Sequence, residues 1–166
     1  MSVRRRWMAR RLRHLAHLSR RLAGSLSRRE PAEVEVSVVR DVLSAAEYQL
    51  WATMRVEDRR HAVSVLRRFD ELAPGATREE RAGAVLHDVG KLVCGLGTLG
   101  RVAATILGPC TRRFSDYHDH EAIGATLLAG EGSSQATIDL VARRGPRAAQ
   151  LGEADDTAVL RSRRAR

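Results

Sequence analysis

The sequence lacks the features that mark several common classes of protein. It has 166 residues but only two cysteines, Cys94 and Cys110, and these form no Cys-x-x-Cys pair. Neither a disulfide framework nor a thiolate zinc site is therefore indicated, and the reducing cytoplasm is the expected location. No apolar run is long enough to cross a bilayer, and no apolar segment typical of a signal peptide follows the basic N-terminus. We therefore expect a soluble, cytoplasmic protein.

Lysine is almost absent. Of the 29 basic residues, Lys91 is the only lysine and all the others are arginine. A bias this strong suggests that arginine fills the positions where a positive charge is merely useful. Because the planar guanidinium cannot replace a compact ammonium, we expect a specific role for Lys91, and chance placement is the alternative.

The net charge of +9 is concentrated at the two ends of the chain. Residues 1–30 contain ten arginines and one glutamate, and residues 161–166 contain four arginines and no acid. Residues 31–160 hold fifteen basic and nineteen acidic residues. Basic ends attract polyanions without specificity. Because aromatic residues make up only 4% of the chain and no recognised nucleic-acid-reading motif accompanies the arginines, no specific nucleic-acid partner is expected.

The apolar pattern divides the chain into four parts. Residues 1–30 repeat apolar side chains at helical spacing with arginines opposite, which predicts a basic amphipathic helix. This helix either docks on the domain or makes weak contact with an anionic membrane surface. Residues 31–44 alternate like a short strand after Pro31 but have no partner strand, so a linker is predicted. Residues 45–160 form the predicted domain, and residues 161–166 form a basic tail.

The predicted domain carries helix signals along its length. Two capping boxes, Ser44 with Glu47 and Thr77 with Glu80, indicate helix starts because each pair can satisfy free backbone N–H groups. No strand pair or hairpin is evident, so the predicted fold class is all-α. The GLGTLG segment at 95–100 has the glycine spacing of a dinucleotide-binding turn, but no strand precedes it and no βαβ rhythm surrounds it. Dinucleotide binding is therefore not predicted.

An apolar stretch, AVLHDVGKL at 84–92, places His87 and Asp88 side by side at the predicted end of a helix. Neutral imidazole and ionised carboxylate are ligands for zinc, manganese, iron, cobalt and nickel. His61, on the apolar face of an earlier predicted helix, is a further candidate ligand. The alternative for each histidine is a core residue satisfied by hydrogen bonds. The remaining candidates are His118, His120 and either Asp155 or Asp156.

The motif VLHDVGK at 85–91, with a histidine before it and a late aspartate after it, resembles the signature of the HD-domain superfamily of metal-dependent phosphohydrolases. The resemblance covers roughly residues 45–160. It implies an HD-domain-like helical bundle, to which residues 1–30 add a further helix, with a divalent metal in its interior. The ligands that the resemblance implies are His61, His87, Asp88 and Asp155.

The segment HEAIGATLL is similar to a metal-binding helix of binuclear members of that superfamily, such as the cyclic-dinucleotide phosphodiesterases. This similarity points to His120 rather than His118 as an additional ligand, with Glu121 where proline is usual. A further histidine pair of those members is absent, and Arg143 and Arg144 take its place. A guanidinium cannot ligate a cation but can hold a phosphate. We therefore expect one tightly held metal, with any second ion weak and dependent on His120.

The residues and the resemblance together predict an enzyme that hydrolyses a phosphate ester of a nucleotide or another small phosphorylated metabolite. A divalent ion (Mn, Fe, Co, Ni or Zn) activates water and polarises a phosphoryl oxygen in such sites. Asp88 would ligate the ion and orient the water or accept its proton. Lys91 and Arg144 are the predicted contacts for the substrate phosphate, and Gly90 is predicted to let the chain turn close to the ion. The alternative is a catalytically weak domain of the same type that acts as a regulatory or binding module.

Deletion of residues 1–30 is predicted to leave the fold and the hydrolysis of a small soluble substrate nearly intact, because no proposed ligand lies in this segment. Circular dichroism and size-exclusion chromatography of the truncated protein test this. Aggregation or a loss of helical signal would show that the N-terminal segment is part of the core.

Overall fold

The computed structural model describes residues 29–94 and 119–161, and these residues form helices joined by turns, without strands. The all-α prediction is therefore confirmed for this part of the chain. The helices in chain order are α1 (Glu33–Val42), α2 (Ala45–Thr53), α3 (Val56–Leu72), α4 (Arg78–Leu86), α5 (Lys91–Cys94), α6 (His120–Gly130), α7 (Gln135–Val141) and α8 (Ala148–Arg161).

Both predicted capping boxes are confirmed. At the start of α2 the Ser44 hydroxyl accepts from the Glu47 N–H, and the Glu47 carboxylate accepts from the Ser44 N–H at 2.8 Å. Thr77 and Glu80 form the same reciprocal pair at the start of α4, with a carboxylate-to-N–H distance of 2.9 Å. These bonds satisfy backbone donors that a helix leaves unpaired at its first turn.

Helix α4 is the centre of the bundle. It packs against α1, α2, α3 and α7, while α3 lies along α8 and α6 packs against α5 and α7. Residues 82–86 are buried in succession, as expected for a helix that is covered on every side. Because α4 ends inside the bundle, the next two residues of the chain, His87 and Asp88, lie in the interior of the protein.

The prediction of a linker over residues 31–44 is wrong. Glu33–Val42 form α1, in which Val36, Val39 and Val42 recur every three residues and thus share one face. Val39 and Val42 are fully buried in the core that α1 shares with α4, and Val36 packs against it. Val34 and Val38 complete the alternating apolar pattern of the sequence, but in the structure their side chains are exposed.

Several predictions concern residues outside the described ranges. The basic N-terminal helix, the GLGTLG segment, His118 and the basic tail from residue 162 onwards belong to them. None of the helices described is both long and apolar enough to cross a membrane.

Gly90 lies where the turn after α4 meets α6. A Cβ atom added at Gly90 would lie 1.9 Å from the carbonyl oxygen of His120 and 2.7 Å from the Gly124 nitrogen. Gly90 does not adopt a left-handed conformation, so a special turn is not the reason for glycine here. The predicted role in turning the chain is corrected: the missing side chain lets the backbone of α6 approach, which brings His120 to Asp88.

Gly90→Ala should lower the free energy of unfolding by roughly 3 kcal/mol, because the added methyl group would clash with backbone atoms that cannot rotate away. Gly152→Ala, in α8, is the matched control because its Cβ would have no neighbour within 4 Å; this change should stabilise the protein by about 0.5–1 kcal/mol. Denaturant titration measures both. Equal midpoints for the two variants would contradict the close approach at Gly90.

Candidate metal centre

Side chains from two helices and one turn converge beside the end of α4. His61 comes from α3, His87 and Asp88 from the turn after α4, and Asp155 from α8. His61, His87 and Asp88 each offer a ligand atom, and these atoms all lie within 4.8 Å of one another. Asp155 joins them because its Oδ1 lies 2.9 Å from His61 Nε2. The tertiary structure thus brings together the four residues that the sequence analysis put forward as a ligand set.

His87 is fully buried, and its two ring nitrogens have different surroundings. Nδ1 lies 2.9 Å from the carbonyl oxygen of Ala84, to which it donates its proton. Nε2 has no hydrogen-bond partner among the described residues, although it lies 3.5 Å from Asp88 Oδ2 and 3.7 Å from Asp155 Oδ1. An orphaned buried polar atom costs about 1–3 kcal/mol. An imidazole anchored through Nδ1, with Nε2 directed between carboxylates, has the arrangement of a metal ligand.

The electrostatic surroundings of His87 also favour a cation at this point. Burial lowers the pKa of His87, but the carboxylates of Asp88 and Asp155 more than offset burial, so the pKa lies above its ordinary value. The same field that favours a proton on Nε2 favours a divalent ion next to it.

The ring of His61 meets that of His87 edge-on, with the ring centroids 5.4 Å apart. Burial lowers the pKa of His61 below its ordinary value, although its hydrogen bond with Asp155 opposes this effect. His61 is therefore neutral at pH 7, and the neutral imidazole is the form that binds metals.

Asp88 is 2% exposed and is surrounded by nitrogen atoms. Lys91 Nζ donates to its Oδ2, and His120 Nε2 lies 3.4 Å from its Oδ1. Burial raises the pKa of Asp88, but the charges of Lys91 and His87 and the contact with His120 outweigh burial and hold it well below its usual range. Asp88 is therefore an ionised carboxylate in the interior.

Lys91, the single lysine of the chain, is 5% exposed and forms an ion pair with Asp88. Its ammonium balances a buried carboxylate, and this pairing accounts for a compact charge where arginine is used elsewhere. The predicted contact between Lys91 and a substrate phosphate stays a prediction, because in the structure its charge is engaged inside the protein.

The two late aspartates lie on different sides of α8. Asp155 points towards the imidazoles, whereas Asp156 is exposed. Burial raises the pKa of Asp155, but its hydrogen bond with His61 and the proximity of His87 outweigh burial and bring the pKa far below its usual range. Asp155 is thus ionised, as a ligand must be.

The structure corrects the choice between the two arginines. The side chain of Arg144 is 63% exposed and binds Asp139 at 2.9 Å, so it lies outside the cluster. Arg143 lies in the cluster instead: its Nη2 donates to Asp155 Oδ2 at 2.7 Å and its Nε donates to Glu121 Oε1 at 2.9 Å. The sequence offered no means of telling these neighbours apart, because the direction of each side chain depends on how the chain leaves α7.

Arg143 adopts an unusual backbone conformation. Its φ angle of 55° lies in the left-handed region, and it is the one non-glycine residue with positive φ among those described. This conformation costs an ordinary residue about 1–2 kcal/mol. The conformation ends α7 with two backbone hydrogen bonds, from the Arg143 N–H to the Leu140 carbonyl at 3.0 Å and from the Arg144 N–H to the Asp139 carbonyl at 2.7 Å. Glycine is the commonest residue at this position of a helix end, and here it is arginine.

Within the described ranges, the cluster has three carboxylates and two permanent cations. With its imidazoles neutral it carries one net negative charge, which one divalent ion converts to a net positive charge. A second ion would meet two resident cations without further negative ligands, so the arrangement favours a single metal. The three carboxylates are those of Asp88, Asp155 and Glu121, and the two cations are Lys91 and Arg143.

Comparison of the chain with models of protein families, with curated proteins and with solved structures finds no match. The resemblance of the VLHDVGK motif to the HD-domain superfamily therefore stays a prediction.

Asp155→Asn is expected to lower metal retention at least about tenfold, because the site loses a ligand charge. Asp156→Asn is the matched control, since it makes the same chemical change on the exposed side of the same helix. Elemental analysis after dialysis should give one metal per chain for the parent protein and the control. Equal retention by both variants, or two metals that survive dialysis, would contradict this view of the site.

Proposed function

We propose that this protein is a metal-dependent phosphohydrolase that acts on the phosphate ester of a nucleotide or another small phosphorylated metabolite. The observation that carries the proposal is the orphaned Nε2 of His87, which is buried and directed between two ionised carboxylates. A divalent ion (Mn, Fe, Co, Ni or Zn) supplies Lewis acidity and a more acidic bound water in such sites. The predicted cytoplasmic location fits a soluble substrate of this kind.

The residues of this chain divide the remaining tasks. His61, His87, Asp88 and Asp155 would hold the ion, and the hydrogen bond from His87 Nδ1 to Ala84 keeps Nε2 in the ligand form. Asp88, ionised and fixed by Lys91, would orient the attacking water or accept its proton. Fixing the carboxylate before the reaction reduces the reorganisation that accompanies the developing charge.

The partly exposed members of the cluster indicate where a substrate would approach. His87, Asp88 and Lys91 are buried, whereas the side chains of His120, Arg143 and Asp155 retain exposed fractions of 19, 22 and 25%. A phosphate ester would therefore enter on the side of His120 and Arg143. His120, 3.4 Å from Asp88 Oδ1, lies on this side and could contribute to a weak second metal or contact the substrate.

A second function is favoured by a separate observation. Lys91 and Arg143 already pair with Asp88 and Asp155, and these ion pairs compete with a metal for the same carboxylates. A domain in which they prevail would bind metal weakly and act as a regulatory or binding module. Metal stoichiometry of the purified protein separates the two proposals.

His87→Gln should abolish metal retention and hydrolysis together, because glutamine keeps the bulk of the side chain but lacks the ligand imidazole. The parent protein, loaded in turn with each of the five metals, is assayed against nucleotides and a generic phosphodiester. Asp156→Asn should retain full activity as the control. A His87→Gln protein that keeps its metal and its activity would refute the assignment, and a parent protein that holds metal but hydrolyses nothing would favour the regulatory module.

A further inference from the structure

The guanidinium group of Arg143 is only partly used by the protein. Its Nε and Nη2 atoms donate to Glu121 and Asp155. Its Nη1 atom is buried and has no hydrogen-bond partner within residues 29–94 and 119–161. Arginine has five N–H donors arranged as two forks. One fork, Nε with Nη2, faces carboxylates, while the other fork, Nη1 with Nη2, keeps both Nη1 hydrogens without an acceptor.

Of the two unusual features at Arg143, the backbone conformation and the orphaned Nη1, one is unfavourable for the protein alone. The left-handed backbone is explained by the end of α7, where the N–H groups of Arg143 and Arg144 bond back to Leu140 and Asp139. The cationic donor without an acceptor has no such explanation within the protein. A buried polar group without a partner in a native structure requires an explanation, such as a bound ion or a functional role. Arg144, the next residue, has a relaxed backbone and an ordinary surface ion pair with Asp139.

We propose that Arg143 is the phosphate-binding residue of this site, and that the fork formed by Nη1 and Nη2 receives two oxygens of the substrate phosphoryl group. The inference rests on the proposed function and names the residue that recognises the substrate class. Planar, two-point recognition of phosphate is the chemistry for which arginine is best suited.

The position of Asp155 supports this role. Its Oδ1 faces His61 at 2.9 Å, and its Oδ2 faces Arg143 at 2.7 Å. One carboxylate thus separates the proposed metal position from the guanidinium. A tetrahedral phosphoryl group has several oxygens, so one can approach the metal position while two others meet the fork.

Arg143 could instead serve only to hold Asp155 in place. The two roles predict different measurements. A purely structural arginine would, when removed, disturb metal binding first and phosphate binding only as a consequence. A phosphate-binding arginine would, when removed, weaken phosphate binding while the metal stays in place.

The test uses the full-length, metal-loaded protein with inorganic phosphate as the probe. Isothermal titration calorimetry measures the phosphate dissociation constant of the parent, of Arg143→Gln and of the matched control Arg144→Gln, and elemental analysis measures their metal content. Arg143→Gln should raise the phosphate dissociation constant about tenfold or more, as expected for the loss of a charge-assisted pair of hydrogen bonds, with metal content unchanged. Arg144→Gln should stay within about twofold of the parent, because only a screened surface charge is lost.

A second measurement needs no variant and so does not depend on the folding of Arg143→Gln. Phenylglyoxal modifies arginine side chains, and peptide mass spectrometry resolves the modified positions. Inorganic phosphate should slow the modification of Arg143 in the metal-loaded parent and leave Arg144 unaffected.

Three results would overturn the inference: an unchanged phosphate affinity in Arg143→Gln, a loss of phosphate binding that only accompanies a loss of metal, or the absence of protection of Arg143 by phosphate. These results are distinct from a failure of the proposed function. A parent protein that hydrolyses phosphate esters while Arg143→Gln keeps its phosphate affinity removes only this inference. A parent protein that binds phosphate through Arg143 but hydrolyses no ester removes only the catalytic activity.

Discussion

The buried carboxylate of Asp88 is the constraint on which the rest of the structure depends. An ionised group that is 2% exposed is stable only when opposite charges and hydrogen-bond donors surround it. Lys91 is three residues away and supplies the charge, while His87 and His120 approach the two carboxylate oxygens from different sides. Because this group lies just after α4, inside the bundle, its surroundings suit the binding of a cation.

The site contains two carboxylates with the same kind of surroundings. Asp88 and Asp155 each face the imidazoles of the proposed metal position, and each also contacts a permanent cation, Lys91 or Arg143. Lys91 lowers the pKa of Asp88, and the two cations hold the two carboxylates in place, which prepares them as ligands. They also limit how much further positive charge the cluster can accept, so the same contacts that favour one metal disfavour a second.

Close backbone contacts between the helices fix the positions of these charged groups. The approach of α6 to the turn after α4 is possible only because Gly90 has no side chain, and Gly124 on α6 lies in the same contact. The position of His120 relative to Asp88 therefore depends on backbone packing as well as on the contact between the imidazole and the carboxylate. The left-handed backbone of Arg143 ends α7, and its side chain pairs with Asp155.

The amino-acid sequence alone was sufficient to predict the helical class and the capping boxes at Ser44 and Thr77, because local hydrogen bonding and apolar spacing carry this information. The meeting of His61, His87 and Asp88 in space was predicted from the resemblance of the VLHDVGK motif to a known superfamily and not from spacing. The three-dimensional packing was needed for everything that depends on the direction of a side chain or on the approach of another helix. Glu33–Val42 form α1 and not the predicted linker, because α4 offers an apolar face to Val39 and Val42. The structure also shows that Asp155 and Arg143 contact each other near the imidazoles, whereas Arg144 binds Asp139 at the surface. The sequence could not distinguish such identical neighbours, because the rotation of a helix or the path of a turn decides which side chain points inward.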